Sequence, residues 1–279
     1  MKLRVLVMLI VAACAATARA ADVPPDAKPP AKEKLHIFLL MGQSNMSALV
    51  KLDKKDIAVA GRILVLDPKD GKIWKSVLHE KTNAPFAFPV GPGFGFAAEM
   101  ARKDPAITIG LIPVAVGGSG LNSWEKGAGH YKRAVERLAN VRKQGVLKGI
   151  LWHQGETDAY RNNPKPHSYG KRLAKMIGDL RTEIKAPKLP FVVGEIGHWV
   201  ARKRSFRFVP IINAALNGIP KAVANTACVS SAGLGHFGGN LHFNEASSHT
   251  FGRRYAKAYV KLVAKAKAKT EAAKKKAAK

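Results

Sequence analysis

Four apolar runs in this chain each break off at a glycine or a small polar cluster. Leu35–Met41 stops at Gly42–Asn45, Ile107–Val116 at Gly117–Gly120, Val146–Trp152 at His153–Asp158, and Pro190–Val193 at Gly194–Gly197. Short, nearly continuous apolar runs are the mark of strands covered on both faces, as in a parallel sheet. Between them lie stretches with apolar residues at helical spacing: Tyr131, Ala134, Val135, Leu138 and Val141, then Tyr169, Leu173, Met176, Ile177, Leu180 and Ile184. Phe251, Tyr255, Tyr259, Leu262 and Val263 give the apolar face of a closing helix. Strands alternating with helices predict a three-layer α/β/α sandwich around a central parallel sheet. In such a sheet the strand carboxyl ends share one edge, where ligands bind, so the four polar clusters are expected to meet there.

The weaker signals fill in the frame. Arg62–Asp67 reads as a further short strand, ended by Pro68 and Gly71, with Lys72–Leu78 as a hairpin partner or an excursion. Pro85–Gly95 reads as a loop, Phe96–Arg102 and Phe208–Leu216 as helices, and Ala227–Ser230 as a last strand. There is no internal repeat and no second domain. Lys2 and Arg4 precede the apolar run Val5–Ala16, and Ala18-Arg19-Ala20 supplies small residues for cleavage, so residues 1–20 read as a signal peptide. Cys14 offers a lipoprotein site as an alternative. Residues 21–34, rich in Pro, Ala and Lys, read as a linker, residues 35–263 as the folded domain, and residues 264–279 as a basic Ala/Lys tail. No later segment has the length of a membrane span, so the expected location is periplasmic or extracellular. Cys228 is the single cysteine after the signal, which leaves no internal disulfide and reads as a small buried residue.

The formal net charge is +28, and residues 251–279 hold eleven Lys or Arg against one Glu. Such charge favours polyanions, so the tail is a candidate contact for acidic polysaccharide or anionic surfaces. No zinc-finger spacing or aromatic–basic RNA motif accompanies it, which argues against a specific nucleic-acid role. The nine histidines show no HExxH or similar ligand spacing, so no metal and no other cofactor is expected.

The chemistry is legible at the expected sheet edge. Acyl transfer needs a nucleophile, a base within hydrogen-bond reach and donors for the oxyanion. Ser44 stands where a strand breaks into a turn, the position of an exposed nucleophile. His242, in the loop before the closing helix, supplies a base. The Ser44 N–H, a backbone N–H at Gly118 and the side-chain amide of Gln154 are candidates for the oxyanion hole, with Gly117 as the alternative to Gly118. Gln43, Asn45, His153 and Glu156 are candidates for lining or bracing the pocket.

GQSNM at 42–46, VGGSG at 116–120, WHQGETD at 152–158 and LHF at 241–243 before FGRRYA resemble the SGNH-type hydrolases. More narrowly, they resemble the sialate O-acetylesterase and family 6 carbohydrate esterase group, over about Leu35 to Tyr255. The resemblance implies a flavodoxin-like fold and metal-free removal of acetyl groups from sugar hydroxyls. It places Ser44 at the nucleophile, His242 at the base, and Gly118 and Gln154 at the oxyanion hole. The chain departs from the family at Gly239, where an Asp three residues before the catalytic His is common. The resemblance offers Glu195, in a Gly-Glu motif at a strand end, as the acid that orients His242 instead. Glu156 and Asp158 fit a structural role at the Gln43–Asn45 turn, and Glu245 a cap on the last helix. Trp124 and Trp199 are candidate sugar platforms, with core packing as the ordinary use of both. The expected activity is thus an exported serine esterase acting on an acetylated carbohydrate. The alternative is an inactive relative that binds polysaccharide or a cell-surface polyanion.

Overall fold

The computed structural model describes residues 23–80 and 82–277. The signal peptide read at 1–20, with Cys14, lies outside the described residues. A seven-stranded sheet runs in the order β4-β3-β6-β1-β7-β8-β9. Its strands are β1 (Leu35–Gly42), β3 (Ile63–Leu66), β4 (Trp74–Ser76), β6 (Thr108–Pro113), β7 (Val146–His153), β8 (Phe191–Gly194) and β9 (Thr226–Val229). Every neighbouring pair is parallel except β3–β4, so Lys72–Leu78 is a hairpin partner. A two-stranded antiparallel piece, β2 (Leu49–Lys51) with β5 (Ala87–Pro89), stands apart. Its strand β5 lies within Pro85–Gly95, the stretch read as loop.

The order of strands explains where the site falls. The chain starts at β1, lays down β3 and β4 further out on one side, returns to place β6 between β3 and β1, then crosses to add β7, β8 and β9 on the other side. The switch in direction lies at β1, and a switch point leaves a crevice beyond the strand's carboxyl end. That end carries Ser44.

Helices α1 (Gly93–Lys103) and α5 (Glu245–Ala277) pack together, while α2 (Gly129–Val141), α3 (Tyr169–Glu183) and α4 (Val209–Ala222) pack in series. The β1 side chains Leu35, Ile37, Phe38, Leu39, Leu40 and Met41 are fully buried, each stabilising the fold by about 1.5–3 kcal/mol. Phe38, Phe96 of α1 and Tyr259 of α5 meet edge to face at 4.7–5.8 Å between centroids, which locks the closing helix over β1.

The stretches that flank residues 35–263 are structured as well. The Ser76 N–H donates to the Pro25 carbonyl and the Ala27 N–H to the Trp74 carbonyl, so part of the linker pairs with the β4 edge. Proline there is harmless because an edge needs few donors. The Ala/Lys tail continues α5 as helix to Ala277, as Ala and Lys propensities favour. Glu245 stands in the first turn of α5, where its charge suits the helix dipole, while the N-cap hydrogen bond belongs to Asn244: the Ser247 N–H donates to Asn244 Oδ1, and Glu245 accepts from the Lys51 N–H. Among the described residues, no helix is long and apolar enough to cross a membrane.

Candidate active site

The turn after β1 is dictated by Gly42. Its φ is +130°, and a Cβ there would lie 1.9 Å from the His153 carbonyl oxygen, so only glycine fits without moving β7. The chain then folds back on itself: the Met46 and Ser47 N–H groups both donate to the Gln43 carbonyl. Ser44 is left half-exposed at the tip.

His242 reaches it from the far end of the sequence. Its Nε2 lies 2.9 Å from Ser44 Oγ, the distance at which the hydroxyl donates to the imidazole. His242 itself is exposed, on a narrow loop where His236 and Phe243 pair and the Phe237 N–H donates to the His242 carbonyl. The turn Gly117–Gly118 closes the other side. A methyl group on Gly117 would sit 3.9 Å from Ser44 Cβ, and Gly118 adopts φ +69°. Thr157 Oγ1 donates to the Gly118 carbonyl and fixes that turn. Among the described residues, the N–H groups of Ser44, Gly117 and Gly118 donate no hydrogen bond, so they are free for an oxyanion.

Two expected roles are not met by the geometry. Glu195 does not touch His242. Its carboxylate accepts from His198 Nε2 (2.9 Å), Asn217 Nδ2 (2.6 Å), Ser230 Oγ (2.8 Å) and the Ser231 N–H (3.0 Å). Burial works against its ionisation, but these donors outweigh it and hold the carboxyl below the usual carboxylate range. Glu195 thus ties β8 to β9 and α4. Gln154 is the second correction. It is fully buried, and its Nε2 points at Gln43 Oε1 (3.1 Å), the Ser119 carbonyl (3.1 Å) and Asp158 Oδ2 (2.6 Å). An amide has two protons, and both are taken internally. Gln154 holds loops together here and does not face Ser44 as a donor.

The four residues expected in the pocket brace it from behind. Gln43, Asn45, His153 and Glu156 are all buried. Gln43 Oε1 also accepts from the Gly155 and Thr157 N–H groups. Glu156 accepts from Asn45 Nδ2 and from His153 Nε2. Burial opposes ionisation of Glu156, yet those partners outweigh it and keep its carboxyl below the usual range. Asp158 goes the other way: burial pushes its carboxyl up, only partly offset by Gln154 and the Leu121 N–H.

Trp124 and Trp199 are buried, so neither offers a face to a sugar. The exposed aromatics are instead Phe237, 60 % exposed on the His242 loop, and Tyr160, 37 % exposed. Sequence reading missed both; an apolar residue in a glycine-rich loop (Gly235, Gly238, Gly239) was the signal for Phe237. A cleft of about 970 Å³ opens beside the Gly117–Gly120 turn, walled by Gly120, Thr157, Asp158, Tyr160, Arg172 and Phe206. Arg172 there is already paired with Glu125 at 2.7 Å.

A serine and an imidazole stand in hydrogen-bond contact at the switch point of this sheet, an arrangement suited to an ester hydrolase. The chain belongs to the SASA family, whose model, described as carbohydrate esterase, sialic acid-specific acetylesterase, matches residues 34–261. A protein described as a probable carbohydrate esterase of Arabidopsis thaliana is 30% identical over 243 residues, 80% of this chain and 90% of that one. The X-ray structure of that Arabidopsis protein superposes with a TM-score of 0.66 at 28% identity, covering 81% of this chain and 98% of the other. NanS shares the fold at a TM-score of 0.64 and 17% identity, over 85% of this chain and 99% of its own. A carbohydrate acetylesterase from Xanthomonas citri does so at 0.59 and 19%, over 80% of this chain and 55% of that one.

Proposed function

We propose that this protein is a serine O-acetylesterase that removes acetyl groups from the hydroxyls of a carbohydrate. The single observation that carries the reading is the 2.9 Å contact between His242 Nε2 and Ser44 Oγ beside free backbone donors. Ser44 attacks the acetyl carbonyl while His242 takes its proton. The N–H groups of Ser44 and Gly118, or Gly117 beside it, hold the tetrahedral oxyanion. His242 then protonates the departing sugar oxygen, leaving an acetyl group on Ser44. Water, deprotonated by His242, releases acetate and restores the serine. Without a carboxylate on its Nδ1, the imidazolium is stabilised by solvent, so the site works as a Ser–His dyad.

The leaving sugar lies on the His242 side, where Phe237 offers an exposed ring, and a longer glycan extends over Tyr160 into the adjoining cleft. The protein is exported, and the lysines of α5 contact polyanions on the outside.

The test is acetate release from an aryl acetate and from acetylated xylan and acetylated sialate. Turnover that disappears in Ser44→Ala and His242→Ala supports the reading. A folded parent that releases no acetate from any of them sinks it. One observation favours the second reading: no acid touches His242 among the described residues. A binding protein would retain glycan in a salt-dependent way without releasing acetate.

A further inference from the structure

The loop that carries His242 has little of its own to hold it. Residues 237–239 are exposed, two of them are glycine, and Gly239 stands where an acid would anchor the imidazole. Yet Nε2 is aimed at Ser44 Oγ. The side chain of Asn45, next to the nucleophile, accounts for this. Asn45 Nδ2 donates to the Leu241 carbonyl at 3.2 Å, and Asn45 Oδ1 accepts from the Phe243 N–H at 3.0 Å. These two backbone groups flank His242 on either side. The amide cannot turn over, because its remaining Nδ2 proton goes to Glu156 Oε1, and Glu156 is itself held by His153. Phe243 packs on the His153 ring at 5.5 Å, which closes the circuit from below.

We propose that Asn45 is a positioning residue for the base: with Glu156 and His153 behind it, its amide clamps the backbone on both sides of His242 and sets the distance from Nε2 to Ser44. This rests on the esterase reading for its kinetic consequence, but not for its structural one. The clamp takes over the orienting part of an acid's role and leaves the imidazolium's charge to solvent. It also makes the order of residues meaningful. Because Asn45 immediately follows Ser44, the nucleophile and the clamp move as one rigid turn, so the base is registered to the serine directly.

A misplacement of about 1 Å at a catalytic group can cost about 10²-fold in rate. The full-length mature protein and its Asn45→Ala, Asn45→Asp, His242→Ala and Asn45→Ala/His242→Ala variants are compared for kcat and KM on an aryl acetate. Asn45→Ala is expected to lower kcat about 10²-fold with KM nearly unchanged. Asn45→Asp is expected to do no better, since its second oxygen faces the Leu241 carbonyl and the Glu156 carboxylate. In the His242→Ala background, Asn45→Ala is expected to cost nothing further, because there is no base left to position. A second, equal loss in that background, or an unchanged kcat in Asn45→Ala, overturns the proposal. Amide hydrogen exchange at Phe243 reads the clamp without turnover: it is expected to speed up in Asn45→Ala while the β1 amides keep their protection. Unchanged exchange at Phe243 overturns the clamp even in a protein without turnover. Absent turnover in the parent together with faster exchange instead overturns the esterase reading alone.

Discussion

The two halves of the Ser44–His242 pair are built in opposite ways. Ser44 stands at the end of β1, whose apolar side chains are buried, on a turn forced by Gly42. His242 sits on an exposed, glycine-rich loop held by a few hydrogen bonds and by Phe243 beneath it. Ser44 inherits its position from the core, whereas on the proposed reading His242 borrows its position from the turn that carries Ser44. A site assembled this way tolerates change in the base's loop in proportion to how little it disturbs the clamp. It tolerates almost no change under Ser44.

The largest effect expected is loss of the chemical pair itself. Ser44→Ala or His242→Ala should lower kcat by about 10⁴-fold or more while melting stays near the parent's, and combining them should cost little beyond either alone. Additive losses in the double variant would mean that the two do not act as a unit.

Gly42→Ala probes the rigid side. The new methyl group would meet the His153 carbonyl, and the variant should lose about 4 kcal/mol or more of stability, read by denaturant unfolding. A matching change on the loop side, Gly239→Ala, has open space around it and should move the midpoint little. Equal losses in both would erase the contrast.

Glu195 sharpens it from outside the pair. Glu195→Ala leaves Asn217, Ser230 and the Ser231 N–H short of an acceptor, at a cost of about 1–3 kcal/mol, while turnover of the folded fraction persists. Because folding depresses its carboxyl, its contribution is complete above the unfolded value of about 4.3 and is lost as pH falls through the lower folded value. Acid titration of stability in parent and Glu195→Gln should therefore converge at low pH. A collapse of kcat in Glu195→Gln at neutral pH would return Glu195 to the role of orienting acid.

The smallest effect is at the surface. Phe237→Ala should raise KM for an acetylated oligosaccharide by about 2- to 10-fold, the loss of one stacking contact, and leave the aryl acetate untouched. Equal changes on both substrates would place Phe237 in the loop's folding instead.

Much of this was legible in the sequence. Runs such as Leu35–Met41 and Val146–Trp152 announce buried parallel strands by composition, and parallel strands bring their ends together wherever the chain goes next. That is why Ser44, the Gly117–Gly120 turn and the His153–Asp158 segment meet as expected. What the sequence does not carry is the direction of a side chain at a strand end. Glu195 and Gln154 are at the expected edge, yet their polar atoms turn toward neighbours within the fold, because a buried carboxylate or amide must satisfy its hydrogen bonds locally. The three-residue strands β2 and β5 are too short to show a period, and Pro25 hides an edge pairing that needs no donor from it. Asn45 was legible as a pocket residue but its hold on the His242 loop was not, because its partners lie about two hundred positions away, at Leu241 and Phe243.

The most direct test is intact-mass analysis of the protein quenched during turnover of an aryl acetate, followed by peptide mapping. An acyl-enzyme at Ser44 should add one acetyl group to the peptide spanning Gly42–Met46, absent in Ser44→Ala. Turnover with no acetyl group trapped on that peptide, undiminished by Ser44→Ala, would contradict it.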